Sequence, residues 1–142
     1  GTADWGANAL VKKKLNIPVI ANGDIDSADK ALRCLATTKA DGVMIGRGSM
    51  GAPRLVGQIN SAIQKKPVLQ TPTPRERILL AREQLQALVQ IRGAHGLLIA
   101  RKHLKWTCKG FPGESKLRYK LMRAQSLSEA IALLEKQANL LD

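Results

Sequence analysis

Two short clusters in this chain have residue types suited to holding a phosphorylated ligand. The first is Asn22-Gly23-Asp24. The second is Gly46-Arg47-Gly48, followed by Ser49-Met50-Gly51-Ala52-Pro53. Glycines let a backbone approach a phosphate and offer it N–H donors. Arg47 adds a planar, permanently charged donor fork. Asn22 and Asp24 are suited to bond a ribityl chain or a ring edge. A third group is cationic. Residues 101–123 hold eight Lys or Arg and one acid, Glu114. Taking Arg101 as zero at 100° per residue, Lys105 falls near ~40°, Lys109 near ~80° and Lys102 near ~100°. These four cations share one arc, which suits a phosphate backbone. Ile99, Ala100, His103, Leu104 and Trp106 are read as the opposite, packed side.

Each cluster has a plainer explanation. Ordinary βα turns also use Gly for positive φ. One such turn alone would not indicate a ligand; two consecutive ones, one carrying Arg, do. A solvated helix face usually mixes charge signs, because like charges repel. The one-sign arc therefore points to an anionic partner. His103 reads as a hydrogen-bonded core histidine, Trp5 as a packing residue, and Trp106 as packed, with base stacking as the alternative.

The elements that position these residues fall into two halves. Ile17–Asn22 and Asp41–Arg47 are short unbroken apolar runs, as in strands buried on both faces of a parallel sheet. Between them Ser27 caps a helix bearing Ala28, Ala31, Leu32 and Leu35. A further helix from about Pro53 carries Leu55, Val56, Ile59, Ala62 and Ile63. This βαβα order places both clusters at C-terminal strand ends, where α/β sheets and barrels bind ligands. Two parallel strands cannot bury both faces, so this half reads as the end of a larger α/β domain.

Residues 65–74, KKPVLQTPTP, contain three prolines and read as a linker. The second half is helical. Thr73-Pro74-Arg75-Glu76 forms a capping box with Pro at N1, followed by Ile78, Leu85, Leu88 and Val89 up to Gly93. Further helices are expected over 97–109 and 115–124. A last one opens on the capping box Ser126-Leu127-Ser128-Glu129 and carries Ile131, Leu134 and Ala138.

Composition agrees with a soluble globular protein. Of 142 residues, 44% are apolar and 24% charged. No apolar run is long enough for an ordinary transmembrane helix, and the N-terminal GTADWGANAL lacks the pattern of a signal peptide. With no initiator Met, the chain reads as a processed product or a fragment. A net charge of +12 favours a polyanion, nucleic acid first. Cys34 and Cys108 show no metal spacing and suit a reducing cytoplasm. Both read as inert packing residues.

IPVIANGDIDS and ADGVMIGRGSMGAP, together with RKHLKWTCKGFPG and its following helix, resemble the tRNA-dihydrouridine synthases, closest to the bacterial B-type enzymes. The resemblance covers essentially the whole chain. It implies α/β plus all-α architecture: the last two βα units of a (β/α)8 TIM barrel over 1–66, a linker over 67–74 and a C-terminal helical domain over 75–142. It implies FMN held by Asn22, Gly23, Asp24, Gly46 and Arg47, with NADPH as reductant. It implies tRNA as partner, and the cationic arc of Arg101, Lys102, Lys105 and Lys109 is the expected RNA-binding face. The reaction would be reduction of the C5–C6 double bond of specific uridines, with no metal and no membrane involved. The family's acid cysteine, which protonates C5 after hydride reaches C6, belongs to a segment with no counterpart here. The 142 residues alone are therefore expected to be inactive. Two other readings compete: a different flavin- or phosphate-binding TIM-barrel oxidoreductase, and a non-catalytic RNA-binding module.

Overall fold

A computed structural model describes residues 2–141 of the chain. It is mostly helical, with one small parallel sheet, and divides into two compact units between Thr71 and Pro72.

In the first unit the order is α1 (Trp5–Lys14), β1 (Ile20–Asn22), α2 (Ala28–Thr38), β2 (Gly42–Met44), a 3-10 turn (Arg47–Ser49) and α3 (Leu55–Ile63). β1 and β2 pair in parallel, with Ala21 opposite Val43 and Asn22 opposite Met44. The ladder extends outward through the Asp41 amide, which donates to the Val19 carbonyl at 2.9 Å. Both strands are shorter than the apolar runs that announced them.

As expected of two strands alone, the sheet is buried on one face only. Ala21 is fully buried, but Ile20 and Met44 are 55% and 54% exposed. The cause is the sheet's size: α2 packs against the two strands, and two strands leave little to cover. The buried stripe of α2 also differs from the expected one. It is Ala31, Cys34 and Thr38, while Leu32 is exposed. Thr38 hydroxyl donates to the Cys34 carbonyl at 2.8 Å, satisfying a buried polar group locally. Ser27 caps α2 as expected, accepting from the Lys30 amide. α3 starts two residues after Pro53, and it buries Leu55 and Ile59 while Val56 and Ile63 stay exposed.

The sequence reading did not anticipate α1. Asp4 caps it, accepting from the Ala7 amide at 3.1 Å, and Lys12, Lys13 and Lys14 complement the dipole at its last turn. No residue of this helix is buried, so it carries no apolar stripe to read.

The second unit contains α4 (Pro74–Arg92), α5 (Ala94–Thr107), α6 (Glu114–Leu121) and α7 (Leu127–Ala138). α4 has the expected reciprocal cap: the Glu76 amide donates to the Thr73 hydroxyl, and the Thr73 amide to the Glu76 carboxylate. At α7 the box is displaced. Ser126 accepts from the Glu129 amide, but Glu129 accepts from the Gln125 amide, one residue before the cap. Ile78, Ala81, Leu85, Leu97, Ala100, Leu104, Phe111, Leu117, Leu121 and Leu134 form one core. Gly96 lets α5 meet α4, because a Cβ there would lie 2.3 Å from the Leu88 carbonyl oxygen. α5 ends at Thr107, two residues short of expectation, and places Lys109 beyond the helix. α6 likewise ends at Leu121, before Ala124.

Candidate functional site

In the first unit both strand-end clusters open onto one cleft of about 1100 Å3. It is lined by Asn22, Gly23, Asp24, Gly46 and Arg47, which the sequence had singled out. Thr2, Ile25, Asp26, Lys30 and Gly48 complete its walls.

The loop after β1 turns through Gly23 at φ 128° and Asp24 at φ 53°. Trp5 fixes it, its indole N–H donating to the Gly23 carbonyl at 3.1 Å. The Asp24 carboxylate accepts the Ala3 amide at 2.7 Å, and its other oxygen faces the Arg47 guanidinium at 3.8 Å. Asp24 thus ties the entry of α1 to the second loop. Arg47 keeps an 86% exposed side chain beside the cleft.

The loop after β2 is shaped by close packing. A Cβ on Gly48 would lie 2.1 Å from the Ile25 carbonyl oxygen, so only glycine allows the two loops to touch. The Gly46 carbonyl accepts from both the amide and the hydroxyl of Ser49, at 3.1 and 2.9 Å. Around Gly46 a Cβ would meet nothing within 4 Å, so the space over its main chain is open. The sequence reading missed Trp5 as a site-building residue, and it missed Lys30. Lys30 had a legible signal: it lies four residues after Asp26 and pairs with it at 2.7 Å.

Further from the cleft, Asp41 accepts from the Lys12 ammonium and the Val19 amide, each at 2.7 Å. The Lys12 hydrogen bond, then that of Val19, holds the Asp41 carboxyl below the usual range.

The basic group of the second unit divides by role. Lys102, Lys105 and Lys109 are exposed. Arg101 donates to the Ala124 carbonyl at 3.0 Å, so its guanidinium closes the turn after α6. The placement of Trp106 on the far side of α5 is corrected. The Lys102 ammonium stands 5.2 Å from its ring centroid, one helical turn away. The His103 ring meets Trp106 edge-on at 5.6 Å.

Cys34 and Cys108 are fully buried. Burial raises both thiols, that of Cys108 to about 12 although Arg118 and Arg77 pull it down. Neither is activated as a nucleophile or acid. Glu114 is held below its ordinary range, chiefly by Arg118 and then by the Gly110 amide. Among the described residues no group of His, Cys, Asp and Glu could hold a metal, and no helix is long and apolar enough to cross a membrane.

Comparison with known proteins adds the lineage. "Probable tRNA-dihydrouridine synthase 1" of Synechocystis sp. is 47% identical over 135 residues, covering 95% of this chain and 38% of that protein. "Probable tRNA-dihydrouridine synthase" of Mycobacterium leprae is 39% identical, covering 96% of this chain and 36% of that protein. "tRNA-dihydrouridine synthase B" of Pasteurella multocida is 37% identical, covering 99% and 43%. The chain therefore spans about two fifths of the length of these relatives. The family profile described as "Dihydrouridine synthase (Dus)" matches residues 1–141, so the chain belongs to the dihydrouridine synthase family.

Proposed function

We propose that this chain provides part of the flavin site and of the RNA grip of a tRNA-dihydrouridine synthase, which reduces the C5–C6 double bond of specific uridines in tRNA with FMN and NADPH. The observation carrying this reading is the convergence of both strand-end loops on one cleft, with Arg47 exposed beside it, in a chain of this family.

The cleft suits the phosphate end of FMN. Open space over Gly46 admits a phosphate to the main chain, and Arg47 supplies a charged donor. Asn22 and Gly23 offer polar groups along the same wall. Asp24 positions Arg47 and the residues before α1. When bound, FMN supplies hydride chemistry, and the protein's task is orientation. The βαβα segment is read as the last two βα units of a (β/α)8 barrel over 1–66, and 75–142 as the tRNA-binding helical domain. Lys102, Lys105 and Lys109 contact phosphates there, with Arg101 holding the turn that supports them.

Neither buried cysteine is placed to give a proton to C5 of uracil. The 142 residues alone should then produce no dihydrouridine from uridine-containing tRNA with FMN and NADPH. A full-length protein containing them should produce it. Turnover by the short chain, or none by a flavin-loaded full-length protein, would overturn the assignment.

A further inference from the structure

Arginine and lysine have different duties in the second unit. Arg77, Arg101 and Arg118 donate to the main-chain carbonyls of Lys109, Ala124 and Cys108, at 2.7, 3.0 and 2.8 Å. Arg82 pairs with Glu135 at 3.1 Å. These guanidiniums hold turns and helices together. Three lysines have no such duty. Lys116, Lys120 and Lys136 line one cleft of about 380 Å3 between α6 and α7, with Leu117 and Leu133 among its apolar walls and no acid lining it. Among the described residues no ion pair joins any of the three to a carboxylate.

Lys116 and Lys120 lie one turn apart on α6, and Lys136 comes from α7. Like charges at that spacing repel, and a third ammonium lining the same cleft adds to the repulsion. A bound anion relieves it. Gln137 keeps the walls together, its amide donating to the Pro112 carbonyl at 3.1 Å. Tyr119, 60% exposed, belongs to the same helix, and the Arg123 guanidinium stacks 3.6 Å from its ring centroid. A surface aromatic flanked by cations suits a nucleic-acid strand better than a small anion.

We propose that this cleft binds a phosphodiester of an RNA backbone, as a second contact separate from Lys102 and Lys105 on α5. The inference rests on the RNA reading above. Lysine serves phosphate as a compact point charge. An acidic peptide would better match guanidinium forks, and the arginines nearby are engaged elsewhere. The apolar walls accept the sugar or base attached to that phosphate.

The test is tRNA binding by the full-length protein across a salt series, with circular dichroism on each variant. Lys116→Glu with Lys136→Glu should weaken binding at least tenfold at low salt and flatten the salt slope by roughly one to two units. If those reversals unfold the chain, Lys116→Gln with Lys136→Gln should give a smaller loss in the same direction. Lys102→Glu with Lys105→Glu serves as the comparison, and combining the two pairs should add their losses. Unchanged affinity and slope in both cleft variants, with binding lost in the α5 variant, overturns the cleft and leaves the RNA reading standing. No tRNA binding by the wild-type full-length protein overturns both. Inorganic pyrophosphate tests the other source: micromolar binding that the Gln variants abolish would make this a free-anion site. Displacement of tRNA by polyglutamate as effectively as by an unrelated RNA of equal charge would also overturn the phosphodiester assignment.

Discussion

The first unit builds its candidate site from main chain, the second from side chains. At the cleft of the first, Gly23, Gly46 and Gly48 shape the loops, Lys30 is paired with Asp26, and the exposed Arg47 guanidinium stands beside the open main chain. In the second, thirteen Lys and Arg stand against six acids over residues 72–142, and exposed lysines carry the surface charge. The cores differ in the same sense. Six buried apolar residues gather around Ala21 and Cys34 in the first unit, while fourteen form the core of the second. A main-chain site depends on loop packing, so a single methyl group can destroy it. A side-chain site depends on summed charge, so it declines by steps and responds to salt.

The largest expected effects come from adding one methyl group to each unit. Gly48→Ala forces a Cβ against the Ile25 carbonyl, and Gly96→Ala forces one against the Leu88 carbonyl. Overpacking costs about 1–3 kcal/mol, toward the upper end where the obstruction is backbone. For units of this size each kcal/mol lowers Tm by roughly 4–8 °C. Gly48→Ala should lose flavin from the full-length protein and keep tRNA binding. Gly96→Ala should lower the melting temperature and weaken tRNA binding first. Flavin absorbance and calorimetry check both. Flavin retained at wild-type level in Gly48→Ala would show that loop contact does not shape the site.

Next in size is the basic face of α5. Reversing Lys102 and Lys105 to Glu should weaken tRNA binding by well over tenfold and flatten the salt slope by roughly one to two units. Flavin binding should be unaffected. Both side chains are exposed, so the core built on Leu97, Ala100 and Leu104 stays intact. Loss of the Lys102 contact with Trp106 is a small local cost. A wild-type salt slope in the folded variant would leave α5 as a solvated face.

Arg47→Ala should be milder, because Gly46 and its neighbours still present main chain to the ligand. A charge-assisted hydrogen bond contributes about 1.5–3 kcal/mol, so flavin affinity should fall at least tenfold. The variant should melt normally, since the Arg47 side chain is 86% exposed. Equal flavin affinity would remove Arg47 from the site.

What could be read in advance follows the range of the interactions. The α4 cap was legible because Thr73 and Glu76 are three residues apart and satisfy each other. The strand-end clusters were legible because glycine runs after apolar runs mark where a parallel strand stops. α1 was not: it has a local cap at Asp4 but buries no residue, and its hold on the fold comes through distant partners, Gly23 for Trp5 and Asp41 for Lys12. The basic face of α5 was legible as charge and not as contacts. Composition predicted the charge, but the Arg101 partner lies twenty-three residues away at Ala124. Lys102 and Trp106 are about 40° apart on an ideal helix, so the helical period itself argued for their contact.

The smallest expected effect compares one carboxylate in each unit under acid. Lys12 and the Val19 amide hold Asp41 below its ordinary range, and Arg118 and the Gly110 amide do the same for Glu114. A carboxyl with a lowered folded-state pKa binds its proton less readily when folded than when unfolded. Its contribution to stability is complete above the unfolded value, about 4 for such groups, and is lost as pH falls through the folded value. Both groups are solvent-accessible, so the effect is screened and should appear as a shallow decline in melting temperature below about pH 4. Asp41→Asn should remove part of that decline from the first unit only, and Glu114→Gln part of it from the second only. Each should also lower Tm slightly at neutral pH, where the charged contact is lost. Calorimetry from pH 2 to 7 on the two variants and the wild type checks this. Identical pH profiles for all three would mean that neither ion pair contributes to holding its turn.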